Sequence, residues 1–90
     1  MYEVRVEQKA EKQLDKITKG NPMAARQIRD FVYVLLPTTQ NPLSMHNIKK
    51  MQGKENTYRW RVGNYRIIGE VYSDILLIKI IKIASRQDAY

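Results

Sequence analysis

Residues 57–66 read TYRWRVGNYR, and the fold of the whole chain turns on how these ten residues are arranged. Tyr58, Trp60 and Val62 alternate with Arg59 and Arg61, the period of two that marks a strand with unlike faces. Gly63-Asn64 supplies the positive φ angles that a two-residue hairpin turn needs. The chain then returns through Tyr65 to Tyr72. With that turn, Val62 faces Tyr65, Arg61 faces Arg66, Trp60 faces Ile67, Arg59 faces Ile68 and Tyr58 faces Gly69. One face of the hairpin gathers Tyr58, Trp60, Val62, Tyr65, Ile67 and Val71 for packing on helices. Tyr58 is expected to fill the space left by Gly69.

The other face carries Arg59, Arg61 and Arg66. Like charges directly opposite one another destabilise a sheet by about 0.2–1 kcal/mol. A chain that keeps them there either pairs them with acids or holds them for an anion. Glu70 shares this face one pleat further along and compensates at most partly. Guanidinium forks match phosphate oxygens in shape and charge, so a phosphate ligand is the functional reading.

Working outward, Tyr2, Val4 and Val6 alternate as a first strand. Ala10, Leu14 and Ile17 then fall at helical spacing, and this helix stops at Gly20. Asn21-Pro22 restarts a second helix as N-cap and first helical residue, with Ile28, Phe31, Val32 and Leu35 as its apolar stripe and Pro37 as its end. Residues 37–47 lack periodicity and read as loop, with His46 a surface residue. After a turn at Ser73-Asp74 the last strand, ILLIKIIKI, is apolar on both faces: Leu76, Ile78 and Ile80 on one, Ile75, Leu77, Ile81 and Ile83 on the other. Something apolar is therefore expected to cover its second face. A longer turn would exchange which of Lys79 and Lys82 joins the arginines. The predicted class is α+β in the order β-α-α-β-β-β, with two N-terminal helices packed on one face of a small antiparallel-rich sheet.

Composition narrows the function. Ninety residues make a single domain, 1–90, able to build one modest core without staples. There is no cysteine, hence no disulfide and no thiolate metal site, and neither a metal nor a cofactor is expected. The amino terminus lacks the apolar core of a signal peptide, and no apolar run approaches the length of a membrane span, so a cytoplasmic setting without membrane contact is expected. Sixteen Lys and Arg against nine Asp and Glu give a net charge of +7. Residues 1–30 mix acids and bases, whereas Lys49, Lys50, Lys54, Arg59, Arg61 and Arg66 crowd a segment whose one acid is Glu55. Clustered positive charge of this kind points to a polyanion.

The stretch KKMQGKENTYRWRVGNYRIIGEV followed by IIKIASRQDAY resembles the RelE/ParE superfamily of toxins from bacterial toxin–antitoxin pairs. The family pattern has a Leu-x-Gly segment, then Tyr-Arg-x-Arg-x-Gly-x-Tyr-Arg, then a closing segment of the Gly-His-Arg-Arg-Asp-Val-Tyr type. Met51-Gln52-Gly53 fits the first loosely, Tyr58 to Arg66 fits the second closely, and Ala84 to Tyr90 fits the third. Element order and length agree over essentially the whole chain.

The resemblance implies a ribosome-dependent endoribonuclease that cuts mRNA in the ribosomal A site by attack of the RNA's own 2′-OH, with no metal. It also implies a cognate antitoxin whose apolar and acidic side chains cover the last strand and the arginines. By position, Arg59 and Arg61 orient substrate and contact phosphate, Arg66 stabilises the scissile phosphate, and Arg86 stabilises charge or assists the leaving group. Tyr90 stacks on a base or moves a proton. From the charge clustering and the face of the last strand, Lys49, Lys50, Lys54 and Lys82 are expected to bind RNA. Ser85 stands where the family usually has His, and Gln87 replaces an arginine. Arginine stays protonated, so Arg59 and Arg61 cannot serve as bases, which leaves Tyr90 or ribosomal RNA for proton transfer. Two alternatives remain within the sequence: a ParE-like inhibitor of DNA gyrase, and a basic nucleic-acid-binding domain without catalysis.

Overall fold

The structure is a computed structural model and describes residues 1–88. A five-stranded sheet, in the order β1-β5-β4-β3-β2, carries the helices on one face. Strand β1 spans Glu3–Val6, helix α1 Gln8–Gly20 and helix α2 Pro22–Asp30. The remaining strands are β2 (Ile48–Lys50), β3 (Thr57–Val62), β4 (Tyr65–Tyr72) and β5 (Leu77–Ser85). β1 joins β5 in parallel, and the other three pairings are antiparallel. The α+β class and the helix-on-sheet arrangement are as the sequence predicts.

Asn21 starts α2 as expected, its side-chain oxygen accepting from the Ala24 N–H at 3.2 Å, with Pro22 at the first helical position. Pro37 does not end this helix. A π-helical turn over Phe31–Leu35 lets the Leu36 N–H donate to the Phe31 carbonyl, and helical structure continues over Leu36–Thr38. Proline's clash is with the carbonyl four residues back, and the wider turn relieves it.

The hairpin register matches the predicted one at all five pairs, from Val62↔Tyr65 to Tyr58↔Gly69. The turn differs in one angle. Gly63 has φ +59, but Asn64 is not among the residues with positive φ, which fits a turn with glycine at the first central position.

Gly69 is filled otherwise than expected. A Cβ there would lie 3.1 Å from Trp60 Cζ3, from Ile80 Cδ1 and from the Lys79 carbonyl oxygen, so Trp60 and Ile80, not Tyr58, close the gap. Because one of those atoms is backbone, Gly69→Ala is expected to destabilise by about 1–3 kcal/mol through overpacking. Equilibrium urea unfolding checks this, and an unchanged midpoint would contradict the close approach.

Two features escaped the sequence. Residues 48–50 form the edge strand β2, with Lys49 opposite Arg59 and Lys50 opposite Tyr58. The second is an irregularity in the β4–β5 ladder, where Ile68 faces Lys82 while Gly69 faces Ile80, leaving Ile81 as an extra residue. The bulge resets the alternation, so Ile78, Ile80 and Ile83 are all buried under the helices. Ile75 and Leu76 belong to the preceding turn, Leu76 at φ +53. The strand apolar on both faces is thus largely an artefact of assuming unbroken alternation. Its second face carries Leu77, Lys79, Lys82 and Ala84, and both lysines reach that face because the bulge falls between them.

Candidate functional site

The sheet face away from the helices holds the candidate site, and strand pairing assembles it. One cross-strand row runs Lys49, Arg59, Ile68, Lys82; the next runs Arg61, Arg66, Ala84. Ile68 is buried although it lies outside the main core cluster, since Arg59 and Lys82 flank it directly across the ladder. The stems of long basic side chains cover apolar surface in this way while their charged heads stay outside.

Backbone contacts fix the arginines further. The Arg61 N–H donates to the Asn47 carbonyl at 2.9 Å, and Asn47 Nδ2 donates to the Arg61 carbonyl at 2.9 Å. The Arg86 N–H donates to the Asn64 carbonyl at 2.9 Å, tying the segment after β5 to the hairpin tip. The motif reading passed over Asn47, and it read Asn64 only as a turn residue, not as the anchor of Arg86. Asn47 flanks a strand of three residues, too short to show a period.

Arg66 is the centre of the arrangement. It is 7% exposed, while Arg59 is half-buried and Arg61 and Arg86 are exposed. Its Nη1 donates to its neighbour's carbonyl, Tyr65 O, at 3.2 Å, and its buried Nε has no partner among the described residues. Burial first, and then repulsion from Arg59, Arg61 and Arg86, hold its guanidinium below the ordinary arginine range. It nonetheless remains a cation at neutral pH. Glu70 does not relieve it. That carboxylate accepts from the Tyr72 hydroxyl at 3.0 Å and sits opposite Lys79 and Thr57.

Of the predicted site residues, the structure brings Arg59, Arg61, Arg66, Arg86, Lys49 and Lys82 to one region. Lys50 alternates to the other face but lines, with Lys49 and Arg59, an edge cavity of about 520 Å³. Lys54 lies in the turn before β3, at the end of that strand remote from Gly63-Asn64. His46 is exposed in the loop, as expected. Tyr90 lies outside the described residues. No group of three His, Cys, Asp or Glu that could hold a metal ion occurs among the described residues. No described helix is long and apolar enough to cross a membrane. Chemically, the site can bind and orient a phosphodiester and stabilise added negative charge on it.

Comparison with known proteins gives a consistent family. The protein-family model for the ParE toxin of type II toxin–antitoxin system, parDE, matches residues 4–90. The chain is 36% identical over 67 residues to Toxin RelE3 of Methanocaldococcus jannaschii, covering 70% of this chain and 74% of that protein. Among solved structures, it is similar to a chain of the RelB–RelE antitoxin–toxin complex from Methanococcus jannaschii. That match has 27% identity, 96% and 94% coverage of the two chains, and a TM-score of 0.72. A chain of the toxin–antitoxin complex RelBE2 from Mycobacterium tuberculosis shares the fold at 23% identity, 94% and 98% coverage, and TM-score 0.75.

Proposed function

Because the chain belongs to the RelE/ParE superfamily of type II toxin–antitoxin toxins, we propose that it is a ribosome-dependent endoribonuclease that cuts mRNA in the ribosomal A site. The observation that carries this reading is Arg66, a buried cation with an unpartnered Nε, surrounded by three further arginines and compensated by no ion pair among the described residues. Such a group is preorganised for an incoming anion, and the anion that suits four guanidinium groups is a phosphodiester passing through a more highly charged transition state.

In the reaction, the RNA 2′-oxygen attacks the adjacent phosphorus as its proton leaves. The P–O5′ bond breaks, and the 5′-oxygen takes a proton. The products are a 2′,3′-cyclic phosphate and a 5′-hydroxyl. Arg66 stabilises the charge on the non-bridging oxygens, and Arg59 and Arg61 hold the strand in line. Arg86 supports the leaving oxygen, and Lys49 and Lys82 take flanking phosphates. Tyr90 is assigned proton transfer, because the arginines cannot accept a proton at neutral pH. The setting is the cytoplasm. The regulating partner is a cognate antitoxin that brings acidic side chains to the arginine face, in keeping with the antitoxin-bound relative at 27% identity.

The competing reading is inhibition of DNA gyrase, which the ParE description of the matching family favours. One experiment separates them. Induction in a translating extract, with mapping of mRNA 5′ ends, should show codon-phased cuts that disappear in Arg66→Ala. Intact mRNA with accumulating gyrase–DNA cleavage complexes would establish the gyrase reading instead.

A further inference from the structure

Along α1 four lysines stand against two acids, and three of the lysines align. Lys9, Lys12 and Lys16 fall at i, i+3 and i+7, one line along the helix, about 10 Å from first to last. Glu11 and Asp15 lie on the neighbouring flank, and Asp15 approaches Arg29 at 3.9 Å. The lysine line therefore contains like-charge neighbours at i, i+3 and i, i+4, each opposing the helix by about 0.2–0.5 kcal/mol. All three lysines are exposed, and none has an ion pair among the described residues.

The lysine line faces a cleft. Between α1 and the end of β5 lies a cavity of about 800 Å³, lined by Lys9, Gln13 and Lys16 on one side and by Tyr65, Lys82 and Ala84 on the other. Lys12 lines the adjoining depression with Lys9 and Lys16. Gln13 fixes the spacing, its Oε1 accepting from the Ile83 N–H at 2.8 Å. Lys82 and Ala84 belong to both regions, since Lys82 continues the Arg59–Ile68 row and Ala84 sits opposite Arg66. The one acid in the lining, Asp88, is turned to Ser85, accepting from its Oγ at 3.1 Å.

We infer that Lys9, Lys12 and Lys16, with the cleft they share with Lys82, form a second binding track for the phosphate backbone of single-stranded RNA, continuous over β5 with the arginine face. The inference rests on the nuclease reading above, and extends the contact with RNA well beyond the reacting phosphate. Lys82, on the Arg59–Ile68 row and in the cleft with Lys9 and Lys16, links the two groups of cations, and such an extended path suits a polymer of evenly spaced charge.

Salt dependence tests it. A short 2′-O-methyl oligoribonucleotide, uncleavable because its nucleophile is blocked, is titrated against the full chain over a range of salt. Neutralising three phosphate-contacting lysines on a single strand should flatten the log–log salt slope by about 2. The Lys9→Gln/Lys12→Gln/Lys16→Gln variant should show that flattening, and the matching Lys→Arg variant should retain the parent slope. Thermal unfolding verifies that both remain folded; should the triple variant fail to fold, Lys12→Gln alone should flatten the slope by about 0.7. An unchanged slope in the lysine variants beside a flattened one in Arg66→Ala would overturn the track and leave the nuclease reading standing. Slopes unmoved in all of them would remove both. Normal RNA binding with lost binding of an acidic protein partner would assign the lysines to that partner and overturn the track.

Discussion

An Arg66→Met variant should lose cleavage by about 100- to 1,000-fold and yet unfold at a higher temperature than the parent protein. The first effect follows from removing one preorganised charge aimed at the transition-state phosphate. The second follows from what Arg66 endures without ligand. Its charge is buried, its Nε is unpartnered, and Arg59, Arg61 and Arg86 all repel it. Replacing even a buried ion pair by apolar groups of similar volume is often neutral or stabilising by about 1–4 kcal/mol, and Arg66 has no ion-pair partner among the described residues to lose. Losing the donation to the Tyr65 carbonyl takes back about 1 kcal/mol. For a domain of this size each remaining kcal/mol raises Tm by about 4–8 °C.

The sign of the pH dependence is fixed as well. The folded-state pKa of Arg66 is depressed, so its charged form is penalised in the fold at every pH below that value. The penalty is fully present throughout the neutral range and would vanish only in strong alkali. The stability gain of Arg66→Met should accordingly not vary around neutral pH. Single-turnover cleavage and thermal melts at several pH values measure both halves. A lower Tm would show that Arg66 is compensated in the free protein, and would remove the case for a site held open for an anion.

The hairpin was legible in the sequence because its signals agree. A strict period of two, a Gly in the turn and β-branched or aromatic residues along the helix-facing side admit one register, and that register is observed. The arginine face followed directly. Other features were hidden for definite physical reasons. Strand β2 is three residues long, below the length at which alternation can be seen, so Lys49 and Lys50 read only as charge. The bulge at Ile81 occurs within a run of isoleucines, where shifting the phase by one still places an apolar residue inward. Pro37 stays within the helix because of a π turn whose residues, Phe31–Leu35, carry no local mark of it.

Trp60→Ala should destabilise the fold by about 3–5 kcal/mol, the range for truncating a large buried aromatic. A chain of 90 residues has about 5–13 kcal/mol in total at typical per-residue stability, so the loss is a large share of it. Trp60 is fully buried, packs at a ring-centroid distance of 6.4 Å from Phe31, and lies over Gly69. Gly69 cannot refill the space, having no side chain, and Phe31 sits in a π turn that other contacts already constrain. The cavity therefore persists, and it lies directly beneath the strand that displays Arg59 and Arg61. Circular dichroism must follow the unfolding, because Trp60 is the protein's one tryptophan and its removal abolishes that fluorescence signal. Trp60→Phe should recover most of the loss by keeping an aromatic ring against Phe31. At temperatures where Trp60→Ala is still folded, its RNA affinity should fall little, because the cross-strand pairing that sets Arg61 against Arg66 is made by the backbone. A large loss of RNA binding without loss of folding would mean that the packing of Trp60 on Phe31, and not strand register alone, holds the arginines in place.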